Sequence, residues 1–270
     1  MSAGLEATTR PSICPLDCPD TCSLSVHVRD GIVTKVAGSH ANPVTAGKIC
    51  SKVTRGLPEL VHGPDRLTMP LRRCGERGSG AYARISWNTA LDEIHDRYQQ
   101  IIGEHGAQAI LPFTYAGSMG LLARSGMSAR FFHRLGASAL DPTPLCAATA
   151  GAAYESLFGD APGIAQDELA DSKLIVIWGH NVTTSGLHLT RVVRRAKKQG
   201  AKLVVIDPKR TRIAEEADLH LGLRPGTDVV LAYAVAAELD RQDALDREFL
   251  RAKVVGAEAY LTRAHSYLSL

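Results

Sequence analysis

Apolar and polar residues alternate along TCSLSVHV and again along IVTKVAG, on either side of Asp30-Gly31. Period-two alternation predicts half-buried strands, and the dipeptide between them favours a two-residue hairpin turn. Glycine and proline recur from Gly56 to Pro64 without a periodic pattern, which predicts a boundary there. After the glycine-rich basic loop RRCGERGSG the pattern turns helical: Ser86 can cap a helix whose Leu91, Ile94, Tyr98, Ile101 and Ile102 share one face. AILPFTY then reads as a strand, residues 121–135 as a helix, and 147–158 as a second helix rich in Ala and Gly. KLIVIWG and KLVVIDP are short continuous apolar runs of the kind that fill the middle of a parallel sheet. Between them lies a helix with Leu189, Val192, Val193 and Ala196 on one face; LHLGL is a third strand, and TDVVLAYAVAAELD a helix capped by Thr227. The expected fold class is α/β: a small β-rich unit, then a doubly wound, Rossmann-like parallel-sheet region.

With 270 residues, 45% of them hydrophobic, the chain can bury more than one core, so two or three structural units are expected. A net charge of +3 without any long single-sign block argues against a nucleic-acid or membrane-surface partner. MSAGLEATTRPSI has no apolar core of signal-peptide length, and no stretch is apolar for long enough to span a bilayer. The expected compartment is the cytoplasm, where six cysteines serve as ligands rather than as disulfides.

Four of those cysteines change the picture. Cys14, Cys18 and Cys22 lie in CPLDCPDTC, and Cys50 follows in GKICSK after a gap of 27 residues. A cubane 4Fe-4S cluster has four irons that each take one thiolate, so three close ligands and one distant ligand suit it. Zinc, which usually takes its thiolates as two compact pairs, is the main alternative. A radical-enzyme cluster, with a different triad spacing and no fourth ligand, is the other.

Further along, Gly179, His180 and Asn181 follow one predicted strand and Asp207 the next, which places them at the crevice beyond the carboxyl ends of a parallel sheet. GxGxxG is absent, so the ordinary nicotinamide or flavin fingerprint is missing. Asp207 is either a ribose-binding acid or a cap for the loop before Pro208. Lys209, Arg210 and Arg212 are either a solvated basic loop or partners for a pyrophosphate. Asp228, in RPGTD, is placed in the first turn of a helix, where the dipole favours a carboxylate, and it can accept both donors of a guanine edge. Cys146, in DPTPLCAATAGAAY, is placed at a helix start that favours thiolate, or is a buried inert cysteine. Cys74 has no partner in the pattern.

Taken in order, these segments resemble the molybdopterin oxidoreductases of the dimethyl sulfoxide reductase family. The segments are CPLDCPDTC with GKICSK, RLTMPLRRCGERGSG, ISWNTALDEI, PTPLCAA, WGHN and LVVIDPKRTRIAEEADLHLGLRPGTD. The resemblance implies an iron–sulfur domain over 1–62, a middle region with a metal-ligating cysteine over 63–165, and a dinucleotide-binding α/β region over 166–270. It implies that Cys14, Cys18, Cys22 and Cys50 hold a 4Fe-4S cluster, that Lys52 lies between cluster and pterin, and that Cys146 ligates molybdenum or tungsten. Gly179, Asn181, Asp207, Arg210, Thr211 and Asp228 would then hold one molybdopterin guanine dinucleotide. The implied chemistry is two-electron oxidation or reduction of a small-molecule substrate at the metal, with electrons leaving singly through the cluster to a redox partner protein or subunit. Relatives in this family are longer, so a separate C-terminal chain is a possible partner, and a noncatalytic electron-transfer or cofactor-carrying fragment is the alternative function. Ala147 stands where formate-oxidising relatives carry histidine, which argues against formate, and Val182 follows Asn181 where proline is usual.

Overall fold

The computed structural model describes residues 7–16, 18–114, 126–141, 146–161 and 163–268. The chain divides into two compact units, Met1–Asp167 with Gly186–His188, and Glu168–Ser185 with Leu189–Leu270.

The first unit opens with an antiparallel sheet of β1 (Thr8–Ile13), β2 (Ser23–Arg29) and β3 (Ile32–Gly38), in that order. The β2–β3 hairpin turns at Asp30 and Gly31, with φ of 52° and 76°, the double positive φ of a type I′ turn. β1 is an addition to the expected elements. Its TTRPSI is mostly polar and carries Pro11, which has no amide proton to donate and is tolerated here because β1 is an edge strand.

Helix α1 (Ser51–His62) occupies the stretch where a boundary without periodicity was expected. Gly56 and Pro58 lie inside it, and burial of Val53 with packing of Leu57 against the small core outweighs their poor helix propensity. The basic loop is bracketed by a short hairpin of β4 (Leu71–Arg73) and β5 (Tyr82–Arg84). Helix α2 (Trp87–His105) starts as expected, with Ser86 Oγ accepting from the Thr89 amide at 3.0 Å. Its expected apolar face is not buried: Leu91 and Ile94 are exposed, and no α2 residue is buried among the described residues.

AILPFTY is not a strand over its described part. Ala107–Ala109 forms a 3-10 turn, Pro112 offers no amide proton, and Ile110 accepts a single bond from the Ser138 amide. Tyr115 lies outside the described residues, as do 121–125 of the helix expected over 121–135; the rest of that helix is α3 (Met127–Leu135). Helix α4 (Cys146–Phe158) matches the expectation to within a residue.

The second unit carries a parallel sheet of β6 (Leu174–Trp178), β7 (Lys202–Ile206) and β8 (Leu219–Leu221), paired in sequential order. The connections are α5 (Leu187–Lys198) and the single-turn α6 (Arg212–Glu215). Ile175, Ile177, Leu203 and Val205 from the sheet, Val193 and Ala196 from α5, and Ile213 and Ala214 from α6 form its core. The β6 run buries only alternate residues, leaving Leu174, Val176 and Trp178 exposed. The continuous apolar sequence therefore overstated its burial, because α5 and α6 cover one face only.

Three helices follow: α7 (Asp228–Arg241), α8 (Arg247–Lys253) and α9 (Ala257–His265). Tyr233 of α7 stacks on Tyr267 at 4.7 Å, and Asp240 accepts from Arg247 and His265. Thr227 stands at the α7 cap position, but its hydroxyl bonds to the Arg224 carbonyl instead of a helix amide. No described helix is long and apolar enough to cross a membrane.

Candidate functional site

The cysteine loop is the connection between β1 and β2. Its neck is closed where the Cys14 amide donates to the Cys22 carbonyl at 2.9 Å, directly beyond the last strand pair, Ile13 with Ser23. Thr21 takes a positive φ of 42° and donates to the Cys18 carbonyl, which folds the loop back on itself. The distant cysteine follows β3, the edge strand opposite β1. Gly38 ends β3 against Gly47, so closely that a Cβ on Gly38 would lie 2.3 Å from the Gly47 oxygen. This approach delivers Cys50 as the N-cap of α1, at the positive end of the helix dipole, with Lys52 in the first turn behind it.

Cys22 is part of the small core with Leu24, Val36 and Val53, and Cys14 and Cys50 pack against it. All four thiols are free. Burial pushes the Cys22 thiol up to about 11, with Asp20 and then Cys14, Cys18 and Cys50 adding like-charge repulsion. Cys22 would therefore give up its proton only with a compensating cation, because thiolate ligands must be deprotonated to bind. The set of four thiols fits a 4Fe-4S cluster, whose four irons would each take one sulfur.

Two neighbours of Cys22 were not legible in the pattern. Asp20 and His188 are both buried, and with Cys22 their ligand-type atoms lie within 4.8 Å of one another. His188 Nε2 is 3.7 Å from Cys22 Sγ, and its amide donates to Asp20 Oδ2 at 3.2 Å. A separation of 166 residues from Cys22 leaves no local signal for this contact.

Cys146 is exposed at the head of α4 and takes no part in the buried cysteine group. Its φ of 48° is a left-handed conformation uncommon outside glycine, of the kind that concentrates at functional sites. Cys74 is also exposed.

In the second unit the candidate dinucleotide residues gather at the carboxyl edge of the parallel sheet. Gly179 follows β6 and donates to the Ile206 carbonyl at 2.8 Å. Asn181 is half-buried, its Oδ1 accepting from Thr183. Asp207 follows β7; one carboxylate oxygen accepts from the Lys209 amide at 2.8 Å, so the capping role foreseen for it is filled. Asp228 reaches the same edge by an unforeseen route, accepting from the Trp178 indole at 2.7 Å at the end of β6. Arg210 is exposed, while Thr211 is buried and caps α6 through the Ala214 amide. The crevice outside the carboxyl ends of open parallel strands is where such folds bind nucleotides.

Residues 7–61 match the model of the molybdopterin oxidoreductase Fe4S4 domain, and residues 66–244 match that of the molybdopterin oxidoreductases. The chain belongs to the molybdopterin oxidoreductase family. The cofactors of its two matched domains are a 4Fe-4S cluster and a molybdopterin with molybdenum. It is 39% identical to a probable oxidoreductase of Bacillus subtilis, YoaE, over 95% of this chain and 37% of that protein. It is 31% identical to the dimethyl sulfoxide reductase DmsA of Haemophilus influenzae, over 91% of this chain and 32% of that one. Among solved structures, the acetylene hydratase of Pelobacter acetylenicus superposes with a TM-score of 0.76 at 27% identity, covering 96% of this chain and 35% of that one. The chain thus spans about a third of the length of these relatives.

Proposed function

We propose that this chain is the cluster-bearing and first dinucleotide-binding portion of a molybdenum or tungsten oxidoreductase of the bis(molybdopterin guanine dinucleotide) type. In this reading electrons pass between a small-molecule substrate and the 4Fe-4S cluster, and on to a redox partner protein or subunit. The observation that carries it is the convergence of Cys14, Cys22 and Cys50 from a hairpin loop and a helix cap into one small core, with Cys18 in the same loop close enough to Cys22 to act on its charge. The bound metal supplies two-electron chemistry at the substrate. This chain's residues supply position and field. The four cysteines would fix the cluster, Lys52 in the first turn after Cys50 would add a positive charge on that side, and Cys146 would offer a thiolate ligand from a left-handed backbone position. Asp207 and Asp228, with Gly179 and Asn181, would hold the guanosine end of the dinucleotide, and Arg210 and the Thr211 loop would meet its phosphates. We take the compartment to be the cytoplasm.

The test is metal and nucleotide analysis of the protein that carries this chain, isolated without oxygen. The catalytic reading expects molybdenum or tungsten and guanine nucleotide released on denaturation. Iron and sulfide without either would favour the electron-transfer reading instead.

A further inference from the structure

The four cluster cysteines do not account for every polar group in the pocket. Asp20 and His188 are 4% and 2% exposed, and neither belongs to the ligand set. Residues Gly186–His188 pack with the first unit although the rest of α5 belongs to the second. The Asp20 carboxylate holds the His188 amide and so fixes where the imidazole begins. The imidazole ends with Nε2 at 3.7 Å from Cys22 Sγ, and its other nitrogen, Nδ1, is buried without a partner among the described residues.

The proton inventory decides the direction of this bond. A cysteine bound to iron is a thiolate with no proton to give, so Nε2 must be the donor. A neutral imidazole protonated at Nε2 leaves Nδ1 as a bare acceptor, and Nδ1 is the atom left without a partner. A lone cation shared by Asp20, Cys22 and His188 is the competing use of the same atoms. It would take Cys22 from the cluster and leave one iron without its sulfur.

We propose that His188 is a positioning residue for the cluster, donating a hydrogen bond from Nε2 to the Cys22 thiolate and thereby raising the cluster's reduction potential, with Asp20 holding the histidine in place. The inference rests on the cluster reading above. Reduction adds an electron to a group already bearing four thiolates, so a donor aimed at one sulfur favours the reduced form. Sequence gives no hint of it, since the donor and its sulfur are so far apart along the chain.

The experiment uses the cluster-loaded protein in three forms: parent, His188→Leu and His188→Gln. The leucine variant removes the donor and leaves the amide bond to Asp20, whereas glutamine returns an amide N–H to the place of Nε2. Potentials are read by dithionite titration followed by paramagnetic resonance. A parallel sample with 15N-labelled histidine is measured by pulsed resonance for nitrogen coupling to the reduced cluster. The expected results are a 15N coupling in the parent, a fall of about tenfold in the reduction equilibrium of His188→Leu, which is about 59 mV, and substantial recovery in His188→Gln. A reduced parent cluster without 15N coupling overturns the proposal, as does an unchanged potential in His188→Leu. If the leucine variant fails to hold a cluster, the parent coupling and the glutamine potential decide. Absence of any reduced-cluster signal in the parent overturns the cluster reading itself, and this inference with it.

Discussion

Replacing Gly38 with alanine should disable the cluster site without touching a ligand. The new Cβ would sit 2.3 Å from the Gly47 oxygen and 2.5 Å from its carbonyl carbon, both backbone atoms that no rotamer change can move aside. An ordinary carbon contact lies near 3.5 Å, so the two segments must part by about 1 Å. Gly47 is three residues from Cys50, and metal ligands tolerate departures of only about 0.2 Å from their proper distances. Overpacking of this kind costs about 1–3 kcal/mol, a loss of about five- to 160-fold in the ratio of folded to unfolded protein. The assay is iron content per chain after anaerobic reconstitution, together with the thermal midpoint of the apo form. Gly56→Ala is the control: Gly56 sits inside α1 with open space around it, and alanine there should stabilise by about 0.5–1 kcal/mol while leaving iron content unchanged. Full iron loading and an unshifted midpoint in Gly38→Ala would refute the claim that this backbone approach sets the position of Cys50.

Lys52→Ala removes a positive charge two residues from Cys50 and should lower the cluster potential, by on the order of 100 mV for a unit charge set about 7 Å away at an effective dielectric of about 20, and a redox titration checks it. Asp228→Asn keeps an acceptor for the Trp178 indole but loses the charge proposed to pair with guanine, so released guanine nucleotide should fall while the unfolding free energy stays within about 0.5 kcal/mol of the parent. The Asp240 carboxyl is held below its ordinary range, first by the hydrogen bond from His265 and then by Arg247. Its contribution to stability is therefore complete above the unfolded carboxylate value near about 4 and lost as pH falls through the lower folded value. The gap in thermal midpoint between parent and Asp240→Asn should accordingly be widest near neutrality and close in strong acid.

What the sequence made legible was local. The Asp30-Gly31 hairpin, the Ser86 cap and the βαβ order of the second unit each depend on residues a few places apart, and each appears as expected. The cysteine spacing was legible for the same reason, since a tight loop and one later residue suffice to define four sulfurs. Tertiary burial hid the rest. Val53 and Leu57 draw a glycine- and proline-bearing segment into α1, and the 3-10 turn at Ala107–Ala109 followed by Pro112 leaves AILPFTY out of any strand over its described part. The Trp178–Asp228 bond and the His188–Cys22 contact join residues 50 and 166 positions apart. No pattern along the chain encodes either pair; only the folded sheet edge and the closed hairpin neck bring them together.

The central claim is that the sulfurs of Cys14, Cys18, Cys22 and Cys50 share one cubane. Quantifying iron and acid-labile sulfide in the oxygen-free protein, beside a variant with Cys22→Ser and Cys50→Ser, tests it most directly. The account predicts a brown protein with about four of each per chain and a paramagnetic signal on reduction, both lost in the double variant. A colourless parent carrying zinc, or a double variant that retains its iron and sulfide, would contradict it.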